Sequence, residues 1–147
     1  MKIAVGADHG GFSAKEKIVA YLRRQGHRVV DVGTTSTDSV DYPDFARLAA
    51  EQVSGGKCRR GVLVCGTGIG MSIGANNGKG VRAAVVWSPE VARLAAEHND
   101  ANVLCLSGRF FDDRKRIAML DAWLSTPFGG GRHARRVRKI RAMEKGR

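Results

Sequence analysis

The chain has 147 residues, 43% of them hydrophobic and 27% charged, which is the length and composition of one globular domain, here residues 1–147, with its own core. No run of about 18 apolar residues occurs, which excludes a membrane-spanning helix and argues against a membrane partner. The formal net charge is +11, of which residues 132–147 supply +7, with eight Lys/Arg against one Glu, so the basicity is a feature of the C-terminal segment and not of the whole surface.

The opening MKIAVGADHGG has too short an apolar run for a signal peptide, so the chain reads as cytoplasmic, and its residues 2–7 are predicted to be a first strand. A helix is expected over 13–25, with Ser13 as N-cap, Ile18, Tyr21, Leu22 and Gln25 at helical spacing, and Gly26 just past the end. A second strand follows at 28–33. In DYPDFARLAAEQVSGG, Pro43 suits a first helical turn, Phe45, Leu48, Ala49 and Val53 form the apolar face, and Gly55-Gly56 stops the helix. A third strand is expected at 60–65, a helix over 68–77, a strand at 81–87, and a helix over 88–99 with Ser88 capping and Pro89 at its first position. The last strand is expected at 101–107 and the next helix over 112–124. A Gly129-Gly130-Gly131 run then separates a basic C-terminal helix, placed within 131–147. Several of these strands are continuous apolar runs, as strands buried on both faces should be. Their alternation with helices implies an α/β fold, a doubly wound five-stranded parallel sheet with helices on both faces. In such sheets ligands sit beyond the carboxyl ends of the strands, which nominates the loops GADHGG, GTGIG, WSPE and SGRF.

The first of these loops does not fit G-x-G-x-x-G, so dinucleotide binding is disfavoured even though Asp31, near the end of the second strand, resembles a ribose-binding acid. Asp8-His9 puts a carboxylate beside an imidazole at a strand end, an arrangement suited to proton transfer; a helix-capping Asp next to a solvated His is the plainer alternative. Cys65-Gly66-Thr67-Gly68-Ile69-Gly70 is neither a P-loop nor a Rossmann turn, but its glycines allow successive N–H groups to point into one cavity at the start of a helix, where they stabilise a phosphate or a developing oxyanion. A thiol at that rim feels a field that favours thiolate, whereas on the plainer reading Cys65 is a small core hydrophobe. Cys105 reads as core and Cys58 as an unpartnered thiol in a charged loop. The three cysteines have no paired spacing, so they form neither a disulfide framework nor a CxxC-type zinc site. His98 and Asn99, in Glu97-His98-Asn99-Asp100, lie at a helix end. Arg109, Arg132, His133, Arg135 and Arg136 form a dense cationic set in which Arg132 and Arg136, four apart, share a helix face and can grip one phosphate.

The ordered set GADHGG (6–11), DYP (41–43), CGTGIG (65–70), HNDANV (98–103), SGR (107–109) and GGRHARR (130–136) resembles the ribose-5-phosphate isomerase B family, which also includes galactose-6-phosphate isomerase subunits. The likeness covers essentially the whole chain. It implies strand order 2-1-3-4-5, a homodimer with active sites shared across the interface (dimers that in this family often pair into tetramers), no cofactor and no metal. It further implies interconversion of ribose 5-phosphate and ribulose 5-phosphate through a cis-enediolate, with Cys65 as the general base. Other members use a glutamate at the place of Met71, which cannot take a proton. On the same resemblance the amides of Gly66, Gly68, Ile69 and Gly70 hold the enediolate oxygen with help from Thr67, and His98, aided by Asp8 or Thr67, opens the furanose ring. Asn99 contacts substrate hydroxyls from the neighbouring subunit and Tyr42 lines the pocket. His9, Arg132 and Arg136 take the phosphate, with Arg109 from the partner subunit. Six-carbon allose 6-phosphate and four-carbon tetrulose phosphates remain alternative substrates. A nucleic-acid-binding module using the basic tail is the alternative from another class; no aromatic lies within 129–147 to stack a base, which disfavours nucleic acid as a partner.

Overall fold

The structure, a computed structural model, describes residues 1–146. Five parallel strands, β1 (Lys2–Ala7), β2 (Arg28–Asp31), β3 (Arg60–Cys65), β4 (Ala83–Val85) and β5 (Val103–Ser107), alternate with the helices α1 (Phe12–Arg24), α2 (Tyr42–Ser54), α3 (Ile69–Ala75), α4 (Pro89–Asn99) and α5 (Asp113–Ser125), and α6 (Arg132–Lys145) follows. The α/β class is the expected one. The strand order is not: the sheet runs β2-β1-β3-β5-β4, where 2-1-3-4-5 was expected. The lengths of the last two strands explain the exchange. All five residues of β5 are buried, so it needs neighbours on both sides, whereas β4 has three half-buried residues and suits an edge. Asn76 completes that edge, its Oδ1 accepting from the Ala83 N–H at 2.8 Å and its Nδ2 donating to the Ala83 carbonyl at 3.0 Å.

Alternate residues of each strand feed two cores, which is why the strands read as unbroken apolar runs. Val62, Val64, Leu104 and Leu106 pack with Ile18, Leu22, Met119, Leu120 and Trp123 beneath α1 and α5. Leu63, Cys65, Val103 and Cys105 pack with Met71, Ala75 and the alanines of α2 on the other face. The buried face of α2 is Ala46, Ala49 and Ala50, with Phe45, Leu48 and Val53 only half-buried, because small residues bring α2 and α3 close together. A Cβ on Gly74 of α3 would stand 2.9 Å from that of Ala46.

Helix α1 starts earlier than expected. Its N-cap is Gly11, not Ser13, and the Asp8 Oδ1 accepts the Gly11 N–H at 3.1 Å. Gly11 is required there, since a Cβ would lie 2.2 Å from the Val64 carbonyl oxygen. Asp31 does not serve a ribose. It pairs with the buried Lys15 at 2.7 Å and accepts the Gly33 N–H at 3.0 Å, fastening α1 to the end of β2. Burial opposes the charge on Lys15, but the hydrogen bonds to Asp31 and Glu16 outweigh it and hold the ammonium above its ordinary pKa. No helix among the described residues is long and apolar enough to cross a membrane.

Candidate active site

Because β5 lies next to β3, the loops that follow β1, β3 and β5 leave the sheet side by side. The SGR turn therefore meets the Cys65 loop directly: the Gly108 N–H donates to the Cys65 carbonyl at 2.8 Å, the Arg109 N–H to the Gly66 carbonyl at 3.2 Å, and Ser107 Oγ to the same Gly66 carbonyl at 2.7 Å. The GADHGG loop closes on them from the other side, and a Cβ on Gly108 would sit 2.4 Å from the Gly10 carbonyl oxygen. The WSPE loop, which follows the edge strand β4, stays outside this contact.

Cys65 is the last residue of β3 and is 4% exposed. Its Sγ accepts the Gly68 N–H at 3.1 Å. Gly68 makes that contact from a left-handed conformation (φ 83°), with Leu106 backbone atoms 3.1 to 3.3 Å from where a Cβ would be, so no side chain fits. Thr67 Oγ1 accepts the Ile69 N–H at 3.1 Å, which leaves its own hydroxyl proton free to be donated. Helix α3 spans seven residues and ends at Ala75, short of the expected 77. The turn, more than the helix, aims the donors. Neither of the other thiols shares this setting. Complete burial, with a contribution from Cys65, pushes the Cys105 thiol well up, and Cys105 belongs to the core. Cys58, expected in a charged loop without a partner, is buried; its thiol faces Gln52 Oε1 at 3.9 Å and is also pushed up by burial.

Four further residues surround the loop. A Cβ placed on Gly10 would lie 3.3 Å from Asp8 Oδ1 and 3.1 Å from the Gly66 nitrogen, so the Asp8 carboxylate borders the glycine turn even as it caps α1. His9 is exposed, and its Nδ1 accepts the Val40 N–H at 3.1 Å. A nitrogen that accepts is unprotonated, so Nε2 carries the hydrogen and faces outward as a donor. The Tyr42 ring lies across Gly70, 2.7 Å from where its Cβ would stand. The Arg109 guanidinium lies over Gly66 of its own chain, its Nη2 3.1 Å from the equivalent point.

The remaining candidates are elsewhere. His98 and Asn99 end α4, eleven residues that begin at the carboxyl end of β4 and run about 16 Å down the sheet. Asn102, three residues on, accepts the N–H of Gly61 at the beginning of β3, whereas Cys65 ends that strand. The start of α6 joins His98 at this lower end: the Gly129 N–H donates to the Glu97 carbonyl at 2.9 Å, and the His133 ring stacks on His98 with centroids 4.2 Å apart and planes 13° from parallel. Loss of hydration against its neighbour, followed by the charges of His98, Arg132 and Arg136, lowers the His133 pKa. Arg132 and Arg136 are exposed on the same helix, as are Arg135, Arg138 and Lys139. The chain thus brings together Asp8, His9, Tyr42, Cys65 to Gly70 and Arg109, and separately His98, Asn99, Arg132, His133 and Arg136. It does not unite the two sets.

Among the described residues, no group of three or more His, Cys, Asp or Glu is arranged to hold a metal ion. Reading the sequence missed Val40, whose contribution is a backbone N–H with no side-chain signature. It also left Ser107 unused, although Ser107 stands in the SGR motif and its Oγ accepts the N–H groups of Arg109 and Phe110.

Comparison with known proteins agrees with the fold. The family model described as Ribose/Galactose Isomerase matches residues 3–140. The chain is 45% identical over 146 residues to the ribose-5-phosphate isomerase B of Escherichia coli, covering 99% of this chain and 98% of that protein. It superposes on Clostridium thermocellum ribose-5-phosphate isomerase B with a TM-score of 0.98, 48% identity and 99% coverage of both chains. The Mycoplasma genitalium ribose-5-phosphate isomerase B, solved with bound ribulose 5-phosphate, is similar with a TM-score of 0.95 and 44% identity, covering 98% of this chain and 96% of that one.

Proposed function

This chain belongs to the ribose/galactose isomerase family, and from that premise we propose that it interconverts ribose 5-phosphate and ribulose 5-phosphate through a cis-enediolate, with Cys65 as the general base. It is an enzyme of the sugar-phosphate isomerase type. The observation that carries the assignment of the base is the Cys65 Sγ, at a strand end, accepting the Gly68 N–H at 3.1 Å. A sulfur held against a backbone donor accepts more strongly as thiolate than as thiol, and the thiolate is the form that removes a carbon-bound proton.

The reaction requires three operations. The furanose must open, so His98 takes the proton of the anomeric hydroxyl and returns one to the ring oxygen, with Asp8 or Thr67 assisting. The Cys65 thiolate then removes the C2 proton of the free aldehyde. The resulting enediolate oxygen is held by the amides of Gly66, Thr67 and Gly70 and by the Thr67 hydroxyl, since the Gly68 and Ile69 N–H groups are engaged by Sγ and Thr67 Oγ1. Return of the proton to C1, with the hydroxyl proton passing from O2 to O1, gives the ketose and restores the thiolate. One donor of this kind is worth about 3 to 4 kcal/mol of transition-state stabilisation.

The distance between the two residue sets supports a shared site. His98, Asn99, Arg132 and Arg136 reach the Cys65 loop from a second copy in a homodimer, while Asp8, His9, Tyr42 and Arg109 come from the first. The His9 Nε2–H, Arg109, Arg132 and Arg136 take the phosphate, and Tyr42 walls the sugar against Gly70.

Assay of the wild-type protein against ribose 5-phosphate, allose 6-phosphate and a four-carbon aldose phosphate tests the substrate. The expected result is the highest kcat/KM for ribose 5-phosphate. A larger value for either of the others would reassign the substrate, and no turnover of any of them would overturn the reading.

A further inference from the structure

Beneath the turn that carries Arg109 lies a buried charge that none of these steps uses. Arg116, in the first turn of α5, is 7% exposed. Its Nη1 donates to the carbonyls of Ser107 at 3.2 Å and Gly108 at 3.4 Å and also to that of Phe111, and its Nη2 donates to Asp113 Oδ1 at 2.7 Å. Its Nε is buried with no partner among the described residues. An arginine in such a position is costly, since part of its hydrogen-bonding capacity is lost with its hydration. That cost is offset by the carbonyls it serves, which an apolar side chain would leave without this donor.

What the charge holds is the Ser107–Phe111 turn. On one side that turn is tied to the Cys65 loop through Gly108 N–H, Arg109 N–H and Ser107 Oγ. On the other side three of its carbonyls converge on one guanidinium. Arg109 projects from this doubly fastened turn over Gly66. We infer that Arg116 is a positioning residue for the phosphate site, holding the turn in the conformation that places Arg109 over the Cys65 loop. This rests on the reading of Arg109 as a phosphate ligand.

The physical argument is preorganisation. With the carbonyls of Ser107 and Gly108 released to water, the turn samples other conformations, and phosphate binding must then order it. A lysine retains the charge but lacks the planar fork that serves three carbonyls and a carboxylate together. The loss falls on binding of the phosphate and leaves proton transfer at Cys65 largely untouched.

The test is a double-mutant cycle of Arg116→Lys and Arg109→Ala, reading KM and kcat with ribose 5-phosphate and the Kd of inorganic phosphate by calorimetry. Arg116→Lys is expected to raise KM and the phosphate Kd roughly tenfold, to leave kcat within about threefold, and to add nothing in the Arg109→Ala background. An unchanged KM and Kd, or an equal increase with and without Arg109, would overturn the inference. A merely structural role would lower the midpoint of thermal unfolding without moving Kd. Should Arg116→Lys fail to fold, Asp113→Asn loosens the same guanidinium from an exposed position and is expected to raise the Kd about two- to threefold, again only when Arg109 is present. The phosphate titration needs no turnover. A protein inactive toward ribose 5-phosphate, in which Arg116→Lys still weakens phosphate binding, would refute ribose 5-phosphate as the substrate and leave this inference standing.

Discussion

Cys65→Ala is expected to lower kcat by about 10²- to 10⁴-fold, the range that loss of a positioned general base produces, with KM changed by no more than a few-fold. The substitution removes one buried atom from the core beneath α2 and α3 and leaves the glycine turn in place, because Gly68 is held by its φ of 83° and its packing on Leu106 as well as by the sulfur. A change of this size in a core costs about 1 kcal/mol, so the protein should stay folded and still bind substrate. Cys65→Ser is expected to fare little better, since a hydroxyl is scarcely ionised at neutral pH, and the serine oxygen would accept the Gly68 N–H without becoming a base. Activity that survives either change would transfer the role to Asp8, whose carboxylate borders the same turn.

His98→Asn should give a different signature. If His98 opens the ring, the variant must take its aldehyde from spontaneous opening in solution. Its rate with ribose 5-phosphate is expected to fall about 10²-fold or more at saturation and then to stop increasing with enzyme concentration, once uncatalysed opening limits the supply. Ribulose 5-phosphate cannot close a ring, because its C5 oxygen carries the phosphate, so the reverse reaction is expected to suffer much less. Equal losses in both directions, with a rate still proportional to enzyme, would instead make His98 part of the proton transfer between carbons. The ring stacked on it at 4.2 Å, His133, holds the imidazole plane, so the asparagine also tests whether that stack is needed for folding of the α4–α6 junction.

The α/β architecture was legible because the signals are local. Continuous apolar runs mark strands covered on both faces, and Ser88-Pro89 caps α4 as expected, its Oγ accepting the Val91 N–H at 3.1 Å. The strand order was not, because nothing in a pairwise pattern of runs says which strand takes the edge. That was decided by the brevity of β4 and by Asn76, a side chain standing in for a neighbouring strand. The same limit applied to the site. Cys65 and the glycines stand in one loop and announce themselves, yet the reason Gly68 must be glycine is the Leu106 backbone, far along the chain in β5, a strand expected elsewhere in the sheet. Arg116 lies in the run DDRKR, which reads as a solvated helix start; only the fold shows that one of its arginines turns inward. His9 was nominated for its place at a strand end, while the backbone N–H of Val40 that fixes its tautomer had no side-chain signal.

The proposed shared site requires two copies of the chain for catalysis, because Cys65 stands at the carboxyl end of β3 and His98 at the other end of the sheet. It is tested most directly by co-expressing Cys65→Ala and His98→Asn subunits under two different affinity tags and purifying the mixed dimer. One of its two sites lacks both groups and the other lacks neither, so the mixed dimer is expected to show about half the wild-type activity although each parent is nearly inactive. A mixed dimer no more active than its parents would place both residues in the same protomer's site, and failure to recover any mixed dimer would contradict the shared site itself.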